Sequence, residues 1–218
     1  MLWGCSNLTP DFNQVVAIGV SLPDSGKLEL GDTLLPAALA LDGHGDSVAA
    51  VIYWTSLDTT HVTVVDSTTG ATVGKAAGTG AIQARTGNLR SNPQTVTILA
   101  AADTVFAVGA TRDSVSVGTK VDSLSDTLKV EVADTDGGIM TPLSGRPVVF
   151  QITYPADTSA FRLVPGDTVL TGTSVALVFV RLKNRALPDS VIVTATAKHR
   201  RGATIPGSPI TFTVIFAP

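Results

Sequence analysis

Three short segments constrain this chain more than any other part of it. They are Val51-Ile52-Tyr53-Trp54-Thr55-Ser56-Leu57-Asp58, His61-Val62-Thr63-Val64-Val65-Asp66 and Gly78-Thr79-Gly80-Ala81-Ile82. An apolar run carrying a tryptophan, a short polar turn, a second β-branched run and a glycine-marked approach to a third leave little room for helix. β-branched and aromatic residues suit a pleated, half-buried surface, and Gly and Asp suit the turns between strands. The rest of the chain agrees: it is rich in Val, Thr, Ala, Gly, Ser and Asp, and long amphipathic periods are absent.

Strand-length runs are predicted at 15–22, 35–41, 48–56, 62–65, 72–74, 81–85 and 94–99. Asp42-Gly43-His44-Gly45-Asp46 marks a turn ahead of the long central run, 48–56. Seven strands make one sandwich of roughly 100 residues, so 218 residues is long for one and right for two. The small-residue stretch Ala100-Ala101-Ala102-Asp103 marks the restart. In the second half, 128–134 alternates into the turn Thr135-Asp136-Gly137-Gly138, and 148–152, 175–182, 190–197 and 210–216 follow. Between 112 and 128, and between 154 and 169, the pattern is weak and predicts long loops or edge strands. Trp54 is expected at the centre of the first core, where an indole brings about 200 Å² of apolar surface.

The order of the first half resembles the group 2 bacterial immunoglobulin-like domain. Trp54-Thr55-Ser56-Leu57-Asp58 stands where that family has W-x-S-x-D, and Leu28-Glu29-Leu30-Gly31-Asp32-Thr33 matches its l-x-x-G-d-t. The second half is similar, more loosely, to the invasin-type group 1 domain through Pro142-Leu143-Ser144-Gly145-Arg146-Pro147 and Val148-Val149-Phe150. These resemblances imply an all-β fold of two tandem immunoglobulin-like β-sandwiches, at 14–100 and 104–218, after an anchor-like segment at 1–13. They also imply spacer and binding roles on bacterial cell envelopes. Leu2-Trp3-Gly4-Cys5-Ser6 resembles the L-x-G-C end of a lipoprotein signal, which makes Cys5 a lipidation candidate, although Trp3 stands where a small residue is usual.

Cys5 is the single cysteine, so neither an intrachain disulfide nor a cysteine-based metal cluster can form. A net charge of −3 argues against a nucleic-acid binder working by counterion release. The first hundred residues carry four Lys/Arg against eight Asp/Glu and the remainder eleven against ten. The positive charge gathers late, in Arg181, Lys183, Arg185, Lys198, Arg200 and Arg201, which neighbouring strands could join into one basic patch. No apolar run approaches the ~20 residues that a membrane-spanning helix needs.

Catalytic signatures are missing. His44, His61 and His199 are the three histidines, and no G-x-S-x-G elbow or H-E-x-x-H spacing accompanies them. Asp42 to Asp46 and Asp134 to Gly137 place hard oxygen donors on turns, yet neither has EF-hand spacing, and such turns form without an ion. No catalytic residue, cofactor or metal is therefore expected.

The expected function is a non-catalytic interaction or scaffold protein of the bacterial cell envelope, on its periplasmic or extracellular face. In that reading it is an extrinsic, membrane-associated subunit whose partners are membrane-complex proteins. Trp3 and Phe12, with the basic residues above, are the contact candidates, and the N-terminus could meet the membrane surface. The alternative is an adhesin or glycan-binding module, or accessory domains of a polysaccharide-active system.

Overall fold

The computed structural model describes residues 13–117, 122–183 and 190–217. The chain divides into two compact units, Met1–Ala100 and Ala101–Pro218. In unit 1 the strands are β1 (Ala17–Ser21), β2 (Lys27–Glu29), β3 (Thr33–Leu34), β4 (Ala37–Leu41), β5 (Ser47–Val48), β6 (Tyr53–Ser56), β7 (Val62–Val64), β8 (Thr72–Gly74), β9 (Gly78–Thr86), β10 (Leu89–Arg90) and β11 (Gln94–Leu99). Unit 2 contains β12 (Thr104–Ala107), β13 (Arg112–Ser116), β14 (Ser123–Leu124), β15 (Leu128–Asp134), β16 (Thr141–Pro142), β17 (Pro147–Tyr154), β18 (Phe161–Val164), β19 (Thr168–Leu170), β20 (Val175–Leu182), β21 (Ser190–Ala197) and β22 (Ile210–Ala217). The protein is all-β, and its sheets are arranged as sandwiches.

Both units use one topological device. The first part of the leading strand pairs antiparallel with the next long strand, and its continuation runs parallel to the last strand. In unit 1 these pairings are β1 with β4 and β2 with β11; in unit 2 they are β12 with β15 and β13 with β22. That switch between sheets is an immunoglobulin-like trait.

Unit 2 is built from long strands whose alternate residues are buried. β21 buries Val191, Val193, Ala195 and Ala197, and β22 buries Ile210, Phe212, Val214 and Phe216. The facing sheet answers with Leu128, Val130 and Val132 from β15 and Ala176, Val178, Val180 and Leu182 from β20. Phe150 and Phe212 are fully buried, and each contributes on the order of 2–3 kcal/mol through removal of apolar surface from water.

Unit 1 packs a smaller cluster, Leu28, Leu34, Trp54, Val62, Ile82, Ala84, Val96 and Ile98. Trp54 is 5% exposed. Gly70, at φ +77, lets the chain pass against the indole, and a Cβ there would lie 2.7 Å from Trp54 Nε1.

One expected strand is trimmed and another is broken. The run 35–41 forms β4 from Ala37 onward, and Pro36 separates it from β3, which pairs β8 in a different sheet. The central run 48–56 splits, β5 joining β4 and β6 joining β9, so that Val51 on the crossing is 65% exposed. The two weakly patterned segments of unit 2 do hold strands. β13 is the edge partner of β22, β14 and β18 pair with β20, and β19 flanks β17.

Candidate functional site

The most distinctive surface is the outer face of the five-stranded sheet of unit 2, ordered β13-β22-β21-β17-β19. Period-two alternation buries one residue of each pair, so the other half of every strand forms this face. Register aligns Gln151 with Thr194 and Thr194 with Thr211; Val149 meets Thr196 on one side and Thr168 on the other. Past a bulge, Tyr154 stands opposite Ile192, which faces Thr213. Thr153 Oγ1 lies 3.2 Å from Thr194 Oγ1, a hydroxyl pair on the same surface. Among the described residues of the face, Arg112 on edge strand β13 is the one that carries a charge. A groove runs along one side, where Gln151, Thr158 and Asp167 surround Ile152 and Leu163. Hydroxyl and amide groups over β-branched methyls can hydrogen-bond and pack against a neutral polar ligand without desolvating an ion.

The described members of the late basic group fall at two separate places. Arg181 and Lys183 lie at the end of β20, near the start of β21. Lys198, Arg200 and Arg201 lie beyond the other end of β21, whose length separates the groups by about 25 Å. Arg181 is committed to Asp122: its Nε donates to Oδ1 at 2.8 Å and Nη2 donates to Oδ2. That ion pair holds the Asp122 carboxyl below the usual range and raises Arg181 further. Lys198, Arg200 and Arg201 sit on a tight hairpin closed by His199 N–H donating to Ala203 O at 2.8 Å. Trp3, Cys5, Phe12 and Arg185 lie outside the described residues.

Near that hairpin Asp103, Asp134 and Asp136 each bring one carboxylate oxygen within 4.8 Å of the others. Their donor chemistry suits a hard cation, but the turn itself already uses them. Thr135 donates to Asp103 Oδ2 through its N–H at 2.8 Å and its hydroxyl at 3.1 Å, and Asp136 N–H donates to Asp134 Oδ1 at 2.7 Å. The Thr135 N–H, more than any other group, holds Asp103 below the ordinary carboxylate range. Sequence spacing flagged Asp134 and Asp136 but missed Asp103, which tertiary folding brings from the start of the unit. In the other Asp-rich turn, Asp42 Oδ1 accepts N–H bonds from His44 at 2.8 Å and Asp46 at 2.9 Å, a self-contained turn.

His61 Nδ1 lies 2.8 Å from Asp58 Oδ2, and the opposite edge of the ring packs against Gly78, where a Cβ would fall 2.8 Å from Nε2. An acid and an imidazole are paired, but the far nitrogen faces backbone and no nucleophile. Among the described residues no nucleophile, base and acid stand in catalytic geometry.

No protein-family model matches the chain, and no curated protein is significantly similar to it. Solved structures that resemble it include S-layer, adhesin and fibronectin(III)-like domains. Domains 4 and 5 of the S-layer protein SbsC match with 15% identity over 94% of this chain and 100% of that one, at a TM-score of 0.37. The Yersinia pseudotuberculosis adhesin InvE matches with 17% identity over 90% of this chain and 58% of that one, at 0.39. Fibronectin(III)-like modules of Clostridium thermocellum CbhA match with 14% identity over 91% and 94%, at 0.43. At these scores the likenesses assign no ligand; the fold assignment stands on the sheet topology.

Proposed function

We propose that the chain is a non-catalytic binding module of the bacterial cell surface, with two immunoglobulin-like domains, and that it engages a neutral polysaccharide through unit 2. The hydroxyl-rich outer face of the β13-β22-β21-β17-β19 sheet, whose one charged group among the described residues is Arg112 at its edge with Asp167 in the flanking groove, carries this reading. A charged ligand would find almost no countercharge there, whereas sugar hydroxyls can exchange water for Thr, Gln and Tyr groups at little desolvation cost. The groove holding Gln151, Thr158 and Asp167 offers the directional contacts that set orientation.

The adhesive, glycan-binding role fits this surface better than an extrinsic subunit of a membrane complex, whose expected basic contact residues, among those described, stand near opposite ends of β21. Isothermal titration against neutral cell-wall and host polysaccharides tests the proposal. Saturable binding that disappears in Gln151→Glu/Thr211→Glu, with an unchanged circular dichroism spectrum, is the expected result. Absence of saturable binding, or binding indifferent to both substitutions, rejects it.

A further inference from the structure

Among the described residues, no backbone group covers the edge of unit 1 formed by β1, whereas its counterpart in unit 2 is covered. β4 gives the even-numbered half of its backbone groups to β5, as shown by Asp42 N–H donating to Asp46 O at 2.9 Å in register with that pairing. The odd-numbered half therefore faces β1, where Ala17, Gly19 and Ser21 stand opposite Leu41, Leu39 and Ala37. Alternation leaves the N–H and C=O groups of Ile18 and Val20 directed away from the sheet. Among the described residues neither has a backbone partner on that side. In unit 2 the corresponding strand is β12, and Val105 N–H, pointing outward in the same way, donates to Pro206 O at 2.9 Å. Gly207 presses so close that a Cβ on it would stand 2.2 Å from Val105 O. Among the described residues, one edge is covered and the other has no backbone partner.

Exposed edges are ordinarily blunted by a charge, a proline or a bulge within the strand. Ala17-Ile18-Gly19-Val20-Ser21 has no charge and no proline, and its register with β4 is unbroken. The sequence is also self-complementary. Placed antiparallel to itself with a two-fold axis at Gly19, the strand brings Ile18 opposite Val20 of the other copy and Val20 opposite Ile18, and these are the residues whose backbone groups point outward. Ala17 falls opposite Ser21, and glycine meets glycine in the close, non-hydrogen-bonded position. Ile18 and Val20 already pack against the unit 1 core while half-buried, so the joint would extend that core across the axis. Identical strands bearing any charge at these positions would repel, and these bear none.

We infer that β1 is a homodimerisation edge, at which β1 of a second copy pairs antiparallel about Gly19 to give an isologous interface. This inference does not depend on the polysaccharide reading. Sedimentation velocity of the full chain over a range of concentrations, with hydrogen exchange at the Ile18 and Val20 amides, tests it. The chain should associate to a dimer, and both amides should gain protection with concentration.

Ala17→Lys/Ser21→Lys sets lysines opposite each other twice across the axis and should weaken the dimer by about tenfold or more. Ala17→Lys/Ser21→Glu sets lysine opposite glutamate and should restore it, although both variants alter the same two exposed positions. A monomer at every concentration overturns the inference. So does a dimer indifferent to the paired lysines, which places the interface elsewhere. Amides protected in a monomer also overturn it, because a segment of the same chain then covers the edge.

Discussion

The two units share the switch of the leading strand between sheets, but they bury very different amounts of apolar surface. Among the described residues, unit 2 holds twenty-four buried apolar side chains in one cluster and unit 1 holds eight. Strand length accounts for the difference. β17, β20, β21 and β22 each run eight residues, so each can bury up to four alternate side chains, whereas most strands of unit 1 run two to five. Unit 1 concentrates its stability in Trp54 and the few residues around it, and its described residues cover neither the outer edge of β1 nor the apolar crossing at Val51. A small core with an unguarded edge suits a domain stabilised further by association, and a large core with a covered edge suits one whose free surface is a sheet face.

The largest test of that contrast is Trp54→Ala. Removing a buried indole should cost unit 1 about 3–5 kcal/mol, comparable with the whole stability of a small domain. Hydrogen exchange should then show protection lost over β4, β6, β9 and β11 and retained over β15, β17, β20, β21 and β22. Simultaneous loss in both units would break the comparison by making them one cooperative body.

A smaller effect is expected from Gly207→Ala. This residue has φ +88, and its added Cβ would meet Val105 O. Strain and displacement of the covering loop should cost unit 2 roughly 2–3 kcal/mol. The new readout is exchange at the Val105 amide: if the loop guards the edge of β12, that amide should lose protection as the Ile18 amide has in a monomer. Unchanged protection would mean that Pro206 O is not what shields it.

The smallest effect concerns acid. Asp66 in unit 1 is held at about 2, from an ordinary 3.8, first by the Thr68 hydroxyl and then by the N–H groups of Thr68 and Thr69. Because the folded value is depressed, its stabilisation is present in full above pH 3.8 and is lost as pH falls through about 2. Asp66→Asn keeps an acceptor oxygen and removes the titration, so the melting temperature of unit 1 should fall less steeply across that window than in the unsubstituted chain. An identical slope would show that the turn 66–70 contributes nothing to the acid response.

Much of the fold was legible residue by residue. Trp54 is buried as its context predicts, and the alternating runs 190–197 and 210–216 become β21 and β22, because a strand half-buried on one face shows its period directly in side-chain polarity. The crossings at Pro36 and at 49–52 were not legible. An apolar run looks alike whether it stays in one sheet or passes between two, and the available partner strand decides. The candidate surface followed the same division. Thr194, Thr196, Thr211 and Thr213 stand in plain view along the chain, yet their assembly with Gln151 and Val149 into one hydroxyl-rich face depends on register between β17, β21 and β22. Among the described late basic residues, Arg181 and Lys183 stand about 25 Å of strand away from Lys198, Arg200 and Arg201, a separation that closeness along the chain does not reveal.

The sequence alone determined that the chain is all-β, where its strands alternate and which indole anchors the first core, because each depends on local propensity and period. Tertiary structure decided which sheet each strand joins, that Asp103 meets Asp134 and Asp136, that Arg181 is held by Asp122, and that the edge of β12 is covered by Pro206. Those outcomes rest on backbone hydrogen bonds and side-chain contacts between residues distant in the chain, and their partners are chosen only when the strands pack.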